Sequence, residues 1–288
     1  MKRIVLILTL AAVLLALAAP CFALEPIAPT EDPEEAMNEL VIPAQQQDNS
    51  RKKTAEGDAV MPFGGFQPAK PGELQSVYEV HPELAAADLA ASLNNAETAA
   101  TKAVHWVYTK DKRGYPFYGY DQHYNNTCGP TCAKMCLKGV AKVYVTEEAA
   151  AKGMGITPST SANSTGATMS SLVKYLNSKQ SVYKYKAMST TVISVTSQEA
   201  QLASGVYKAI ENGAPVTVII AETNEEDGWP YTNKVGHAIA VYAMKSDKSQ
   251  YAVRDPGGTY AGHTEWNNYY PTKKQMWKAY SNRRGFAA

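Results

Sequence analysis

A cysteine followed by glycine and proline is the feature of this 288-residue sequence that most restricts its local fold. Pro130 suits the first turn of a helix, where its missing N–H would have no intrahelical acceptor. The residues after it predict a helix that Gly139 ends. Cys128 then lies at the helix N-terminus, where free N–H groups and the helix dipole favour a negative charge. A thiol in such a position is a better nucleophile.

The N-terminal 23 residues have the pattern of a secretory signal peptide. Lys2 and Arg3 precede an apolar run that continues to about Ala19, and small residues follow up to Ala23. The apolar run is short for a membrane span. We therefore expect a signal peptide over residues 1–23 and a secreted or cell-surface protein, with a retained anchor as the alternative.

The cysteine count favours a reactive thiol over a disulfide framework. Of the four cysteines, Cys21 would leave with the signal peptide, and the remaining three are an odd number, so at least one thiol stays free. Cys132 and Cys136 have the spacing of helical neighbours and predict buried packing, since a free cysteine behaves as a small apolar residue. No pair of ligands has the spacing of a zinc site. We expect neither a metal nor a cofactor.

The two halves of the chain carry opposite charge. Residues 24–100 hold fourteen Asp and Glu but four Lys and Arg, a balance of −10, whereas residues 101–288 hold thirteen and twenty-two, a balance of +9. The basic half lacks the clustered Lys and Arg of a nucleic-acid-binding protein. The acidic segment is interpreted either as a propeptide that lies on the basic domain and blocks its site or as a tether to the cell surface.

The segment before the basic domain divides into two parts. Residues 24–75 are rich in Pro, Gln and Glu and predict a disordered acidic spacer. Apolar residues recur at steps of three and four between about Pro82 and Val107, which predicts an amphipathic helix. Residues 76–109 are therefore expected to be a helical propeptide or linker segment.

Residues 110–288 have the size of a single domain. Helices are predicted first and antiparallel strands after them, which indicates an α+β fold. A last helix is predicted with Pro271 in its first turn. The predicted helices are 168–179, 197–211 and 271–280, and the predicted strands are 215–221, 236–242 and 250–254.

Four side chains supply the groups that nucleophilic cysteine catalysis needs. Cys128 offers the thiol, and His237 begins an apolar strand from which an imidazole can project. Asp255 ends the next strand, and a hairpin would return it to His237. Gln122 precedes the cysteine and can offer a side-chain amide. Alternatively, the cysteine is an inert buried thiol, the histidine is structural and the aspartate belongs to an ordinary turn.

In this order, these residues resemble a known family. Gln122, the run Asn126–Thr131, Gly236 with His237, and Asp255–Gly258 are similar to papain-like cysteine peptidases over residues 110–288. Within them, the chain resembles the exported, stand-alone relatives of the bacteriocin-processing double-glycine peptidases. The resemblance implies a papain-like α+β fold, with the nucleophile at a helix start and an antiparallel sheet after it.

The same resemblance implies a role for each of the four residues. It implies Cys128 as nucleophile and His237 as general base and acid. It further implies that Asp255 orients the imidazole, and that Gln122 and the Cys128 backbone N–H form the oxyanion hole.

We therefore expect a secreted, monomeric cysteine peptidase that cleaves a peptide or protein substrate through a Cys-His-Asp triad and an acyl-enzyme. We expect no nucleic-acid partner and no stable membrane insertion, but an autoinhibitory contact with the acidic N-terminal segment is an option. The alternatives are a cell-wall amidase or acyltransferase of the same fold, a non-catalytic peptide- or surface-binding module, and a surface adhesin with the first half as its stalk.

Overall fold

The computed structural model describes residues 65–93, 103–109, 117, 119–161, 163–191, 197–262 and 267–288. The expected signal peptide over 1–23 and the greater part of the expected spacer, residues 24–64, lie outside these ranges. The helices are α1 (Val77–Val80), α2 (Pro82–Leu93), α3 (Cys128–Ala141), α4 (Glu147–Gly153), α5 (Met169–Lys179), α6 (Gln198–Glu211) and α7 (Lys273–Ala279). The strands are β1 (Gln75–Ser76), β2 (Trp106–Tyr108), β3 (Ala187–Ser189), β4 (Val216–Ile220), β5 (His237–Lys245), β6 (Tyr251–Arg254), β7 (Asn268–Tyr269) and β8 (Phe286–Ala287).

The strands of the described ranges form one sheet in the order β1-β3-β8-β4-β5-β6-β7, with β2 added against β5. All of these neighbours are antiparallel except β1 and β3, which are parallel. The combination of helices with an antiparallel sheet confirms the α+β class. The sheet and the helix that begins at Cys128 are the two parts of the fold that hold the candidate site.

Helices cover the sheet on both faces. Along β4, Val218 and Ile220 belong to a core shared with α6 and α7, whereas Ile219 belongs to a core shared with α3 and α5. Because successive side chains of a strand point to opposite faces, the sheet separates these two cores. The dense β-branched sequence of β4 is explained by this double burial.

Two helices begin and end where the sequence predicts. Thr168 caps α5 through a capping box with Ser171, and the hydroxyl of Ser197 accepts the N–H of Ala200 to cap α6. Gly213 follows α6 with a φ of 87°, a left-handed conformation that costs glycine little. These local signals positioned the helices correctly.

Gly139 and Pro271 have other roles than predicted. Helix α3 continues past Gly139 to Ala141 and ends at Lys142, whose φ is 58°. A Cβ on Gly139 would lie 2.7 Å from Cγ of Pro215, so this glycine allows close packing instead of ending the helix. Helix α7 begins after Thr272, whose hydroxyl accepts the N–H of Gln275, so Pro271 precedes the cap.

The segment before the basic domain also differs from its prediction. Within the described residues, the helix predicted up to Val107 is present as α2 over Pro82–Leu93, whereas Trp106–Tyr108 form β2 against β5. Aromatic and β-branched residues suit a strand, and pairing with the sheet overrides their helical spacing. The end of the expected spacer is ordered as well, because Phe66 is fully buried. No helix within the described ranges is both long and apolar enough to cross a membrane.

Candidate active site

Cys128 is the first residue of α3, and its side chain is 1 % exposed. The N–H of Thr131 donates to the carbonyl of Thr127 at 2.9 Å, which is the first bond of the helix. The N–H groups ahead of it, including that of Cys128, therefore have no intrahelical acceptor. The thiol lies beside the end of the helix that attracts negative charge.

His237 and Asp255 meet because β5 and β6 are antiparallel. His237 is the first residue of β5 and Asp255 follows the last residue of β6, so both lie at the same end of the sheet. Nε2 of His237 is 2.7 Å from Oδ1 of Asp255, and both side chains are fully buried. The hairpin between the strands produces the contact that the sequence suggested.

The thiol of Cys128 lies on the far side of the imidazole from this carboxylate. Its interactions with the imidazole contribute to the raised pKa of His237, so the two side chains are close. Since Nε2 is already bonded to Asp255, Nδ1 is the ring nitrogen left to face the sulfur. Sulfur, imidazole and carboxylate therefore lie together in one buried site.

Charge within this site favours an ionised imidazole. Burial lowers the pKa of His237, but the charge of Asp255, the hydrogen bond that the imidazole donates to it and the interactions with Cys128 outweigh burial and raise that pKa to about 10. Burial would raise the pKa of Asp255, yet the charge of His237 and the bonds from His237, Tyr231 and Gly257 lower it. At neutral pH the pair is therefore imidazolium and carboxylate.

Two tyrosines hold the second oxygen of Asp255, a role that no sequence motif indicates. The hydroxyls of Tyr231 and Tyr269 both donate to Oδ2, the latter at 3.0 Å. Oδ1 accepts the imidazole and also the N–H of Gly257 at 2.8 Å. With donors on both oxygens, the carboxylate has a fixed orientation toward the ring. Tyrosine in this chain is frequent, and neither position has a local motif that would single it out.

Gln122 lies in the loop before Cys128 and is 2 % exposed. Its N–H donates to the carbonyl of Pro256 at 2.8 Å, which ties it to the turn after Asp255. Its side-chain Nε2 donates to the carbonyl of Tyr124 at 2.8 Å, and one hydrogen of that amide remains. Its Oε1 is buried without a hydrogen-bond partner among the described residues. The oxyanion role of Gln122 stays a prediction.

A buried carboxylate that sequence reasoning missed holds the same loop. Glu147, the first residue of α4, is 2 % exposed and accepts both the N–H and the ring Nδ1 of His123, the latter at 2.5 Å. It also accepts the hydroxyl of Thr127, the residue just before Cys128. The hydrogen bond to Glu147 raises the pKa of His123. His123 therefore stabilises the conformation of the loop through its hydrogen bonds to Glu147.

The other two thiols of α3 are packing residues. Cys132 and Cys136 are fully buried, and burial raises the pKa of Cys132 well above its usual value and that of Cys136 to about 12. Sγ of Cys136 lies 3.5 Å from the hydroxyl of Thr217. In the described ranges, no three His, Cys, Asp or Glu side chains form a group that could hold a metal ion.

Comparison with known proteins identifies a family for this chain. The family model described as the Peptidase_C39 like family matches residues 114–286, more than half of the chain. The chain belongs to this family. The match includes Gln122, Cys128, His237 and Asp255. No curated protein matches the chain.

Among solved structures, two examples similar to this Peptidase_C39-like chain share little sequence with it. The peptidase domain of Streptococcus ComA, a bi-functional ABC transporter involved in a quorum sensing pathway, is 12 % identical, with a TM-score of 0.39 over 60 % of this chain and 96 % of that one. Digestive procathepsin L 3 of the Tenebrio molitor larval midgut is 10 % identical, with a TM-score of 0.38 over 77 % of this chain and 82 % of that one. Both scores are low, so the family assignment rests on the match over residues 114–286.

Proposed function

We propose that this chain is a cysteine peptidase whose nucleophile is Cys128. The observation that carries the proposal is the buried hydrogen-bonded pair of His237 and Asp255, with the Cys128 thiol close to the same imidazole. An imidazole held as a cation beside a thiol favours the thiolate, which is the nucleophilic form. The raised pKa of His237, about 10, provides this cation at neutral pH.

In the first half of the reaction, the Cys128 thiolate attacks the carbonyl carbon of the scissile peptide bond. The carbonyl oxygen becomes an oxyanion, for which the backbone N–H of Cys128 and the free hydrogen of the Gln122 amide are the donors. The His237 imidazolium gives its proton to the leaving nitrogen, and the C–N bond breaks. An acyl-enzyme thioester and a free amine result.

In the second half, His237 is neutral and takes a proton from water as the water oxygen attacks the thioester carbonyl. The C–S bond breaks, the carboxylic acid product leaves and the thiolate–imidazolium pair is restored. Asp255 stays ionised throughout and holds the ring, because both of its oxygens accept hydrogen bonds.

The test is turnover on a peptide library, read by mass spectrometry of the new termini. Cys128→Ala should lower the rate by roughly 10⁴-fold or more, because it removes the nucleophile. Cys132→Ala is the matched control: this thiol lies one helical turn further, is equally buried and is not one of the three proposed triad residues. If the unmodified chain cleaves nothing, or Cys128→Ala cleaves as well as it does, the proposal is wrong.

We also propose that the peptidase is exported, on the basis of Lys2, Arg3 and the apolar run after them. Expressed in a bacterial host, the chain should be found outside the cytoplasm with a new N-terminus near Leu24. Leu8→Arg should keep it inside and uncut, since a charge in the apolar run opposes recognition and insertion. An uncut chain that stays in the cytoplasm without any substitution would contradict this part.

A further inference from the structure

A short segment upstream of the family match lies across the candidate site. The N–H of Phe66 donates to the carbonyl of Gly236 at 2.7 Å, and Gly236 directly precedes His237. On the other side, the N–H of Gln67 donates to the carbonyl of Ala167 at 2.8 Å, and the N–H of Gly166 donates to the carbonyl of Gly65 at 3.2 Å. The segment Gly65–Gln67 is thus bonded to Gly236 on one side and to Gly166 and Ala167 on the other, and the space between these residues is the groove that it occupies.

The ring of Phe66 packs against the residue that follows the nucleophile. It is fully buried, and a Cβ on Gly129, the residue after Cys128, would lie 3.0 Å from its Cε2. The same Cβ would lie 3.0 Å from Cβ of Ala167, so Phe66, Gly129 and Ala167 pack together. The segment therefore packs against Gly129, which directly follows the nucleophile Cys128 in sequence.

The backbone of Phe66 comes equally close on the imidazole side. Its carbonyl accepts Nε of Arg284 at 2.6 Å, and a Cβ on Gly236 would lie 2.5 Å from that carbonyl oxygen. Each of the two glycines that adjoin Cys128 and His237 thus leaves room for this segment. A larger residue at Gly236 would clash with the Phe66 carbonyl, and one at Gly129 would crowd the Phe66 ring.

The site is closed in this arrangement. Cys128 is 1 % exposed and His237 is fully buried, so a substrate carbonyl cannot reach the sulfur without a movement. An extended peptide binds by pairing its backbone with free N–H and C=O groups along a groove and by placing side chains in pockets. At this groove, the carbonyls of Gly236 and Ala167 are already taken by the chain itself.

We propose that the groove is the peptide-binding site of the proposed peptidase and that Gly65–Gln67 occupies it as an intramolecular ligand. The site takes an extended peptide with an aromatic side chain in the pocket between Gly129 and Ala167. A substrate competes with this segment for the carbonyls of Gly236 and Ala167. The proposal rests on the proposed function for its substrate, but the occupancy of the groove is measurable without turnover.

The measurement is the rate at which iodoacetamide labels Cys128 in the folded full-length chain, with Cys128→Ser as the blank. Phe66→Ala removes the ring, and labelling should become tenfold faster or more, because the accessible form gains population as the segment detaches. Val77→Ala is the matched control: Val77 is also fully buried and lies in the same N-terminal region, but it packs beside Gly205, away from the thiol. Its labelling rate should stay close to that of the unmodified chain.

A second variant keeps the ring and the fold in case Phe66→Ala unfolds. Gln67→Pro removes the N–H that bonds to Ala167 and the side-chain amide that donates to the carbonyl of Gly65 at 2.7 Å. The loss of these hydrogen bonds should speed labelling by roughly two- to tenfold. A synthetic peptide of residues 61–70, added to Phe66→Ala or to Gln67→Pro, should slow labelling again, whereas the same peptide with alanine in place of Phe66 should not.

The outcomes separate this inference from the proposed function. It is overturned if the unmodified chain labels as fast as a free thiol, if neither folded variant labels faster, or if Val77→Ala labels as fast as Phe66→Ala. It is supported if both groove variants label faster and the peptide protects them, even when no peptide in a library is cleaved. In that last case the groove binds peptides, and the peptidase proposal alone fails.

Discussion

The two tyrosines on Asp255 give the sharpest test of how the candidate site works. Tyr231→Phe and Tyr269→Phe each remove one hydroxyl from Oδ2 and leave the aromatic ring in place. The two rings pack edge to face with centroids 6.3 Å apart, and phenylalanine preserves that packing. Any effect of the substitutions therefore reports the hydrogen bonds.

The expected change in the pKa of Asp255 follows from the charge on the hydrogen-bond acceptor. A hydrogen bond to an ionised group contributes about 1.5–3 kcal/mol, and one pKa unit corresponds to about 1.4 kcal/mol. Each substitution should therefore raise the pKa of Asp255 by about one to two units from its lowered value. The carboxylate is then protonated at a higher pH, and the acidic limb of kcat/KM should move upward by the same amount.

The assay is the pH dependence of kcat/KM from about pH 4 to about pH 9, on any peptide that the unmodified chain cleaves. The double variant should lower kcat by roughly tenfold or more, with little change in KM, because the tyrosines act through Asp255 and not on the substrate. Tyr175→Phe is the control, since its buried hydroxyl has no hydrogen-bond partner among the described residues. If the acidic limb of kcat/KM does not move in either single variant, the tyrosine hydroxyls do not affect the pKa of Asp255. The two tyrosines then contribute packing alone, and the prediction is wrong.

Three further outcomes are expected. Because the pKa of His237 is raised from 6.5 to about 10, the stability from its ion pair is fully present below about pH 6.5 and is lost toward about pH 10. Urea unfolding should therefore show the free energy of unfolding fall by on the order of 5 kcal/mol at most over this range. In His237→Gln, this pH dependence should be absent. Glu147→Gln should lower the pKa of His123 toward its usual value, because the carboxylate bond that raises it is weakened; an NMR titration of the ring checks this, and an unchanged pKa would contradict it. Gly139→Val should cost about 1–3 kcal/mol in urea unfolding, because its Cβ would lie 2.7 Å from Pro215, and a variant as stable as the unmodified chain would show that the helix is free to shift.

The parts of the fold that the sequence predicts well are those whose signals lie beside the element. Thr168 and Ser197 each adjoin the helix that they cap, and the β-branched run of β4 is the strand itself. The meeting of His237 and Asp255 belongs to the same class, because a hairpin returns the end of one strand to the start of the previous one.

The parts that it misses depend on partners far away in the chain. Tyr231 is 24 residues from Asp255, and Glu147 is 24 residues from His123. Nothing beside a tyrosine or a glutamate indicates which distant acceptor or donor it will reach. Gly139 is the same case: a glycine in a helical pattern predicts an end, and only the position of Pro215 explains why the helix continues.

The segment around Phe66 shows where composition misleads. Few apolar residues and many Pro, Gln and Glu indicate that a segment cannot build a core of its own, and that holds for a segment considered alone. It does not exclude burial against a groove that other residues build, and Gly129 and Gly236 build one from positions far along the chain. Those glycines adjoin Cys128 and His237, so the residues that make the site reactive and the residues that let a peptide approach it are direct neighbours in sequence. A substitution of either glycine should therefore alter access to the thiol before it alters the chemistry.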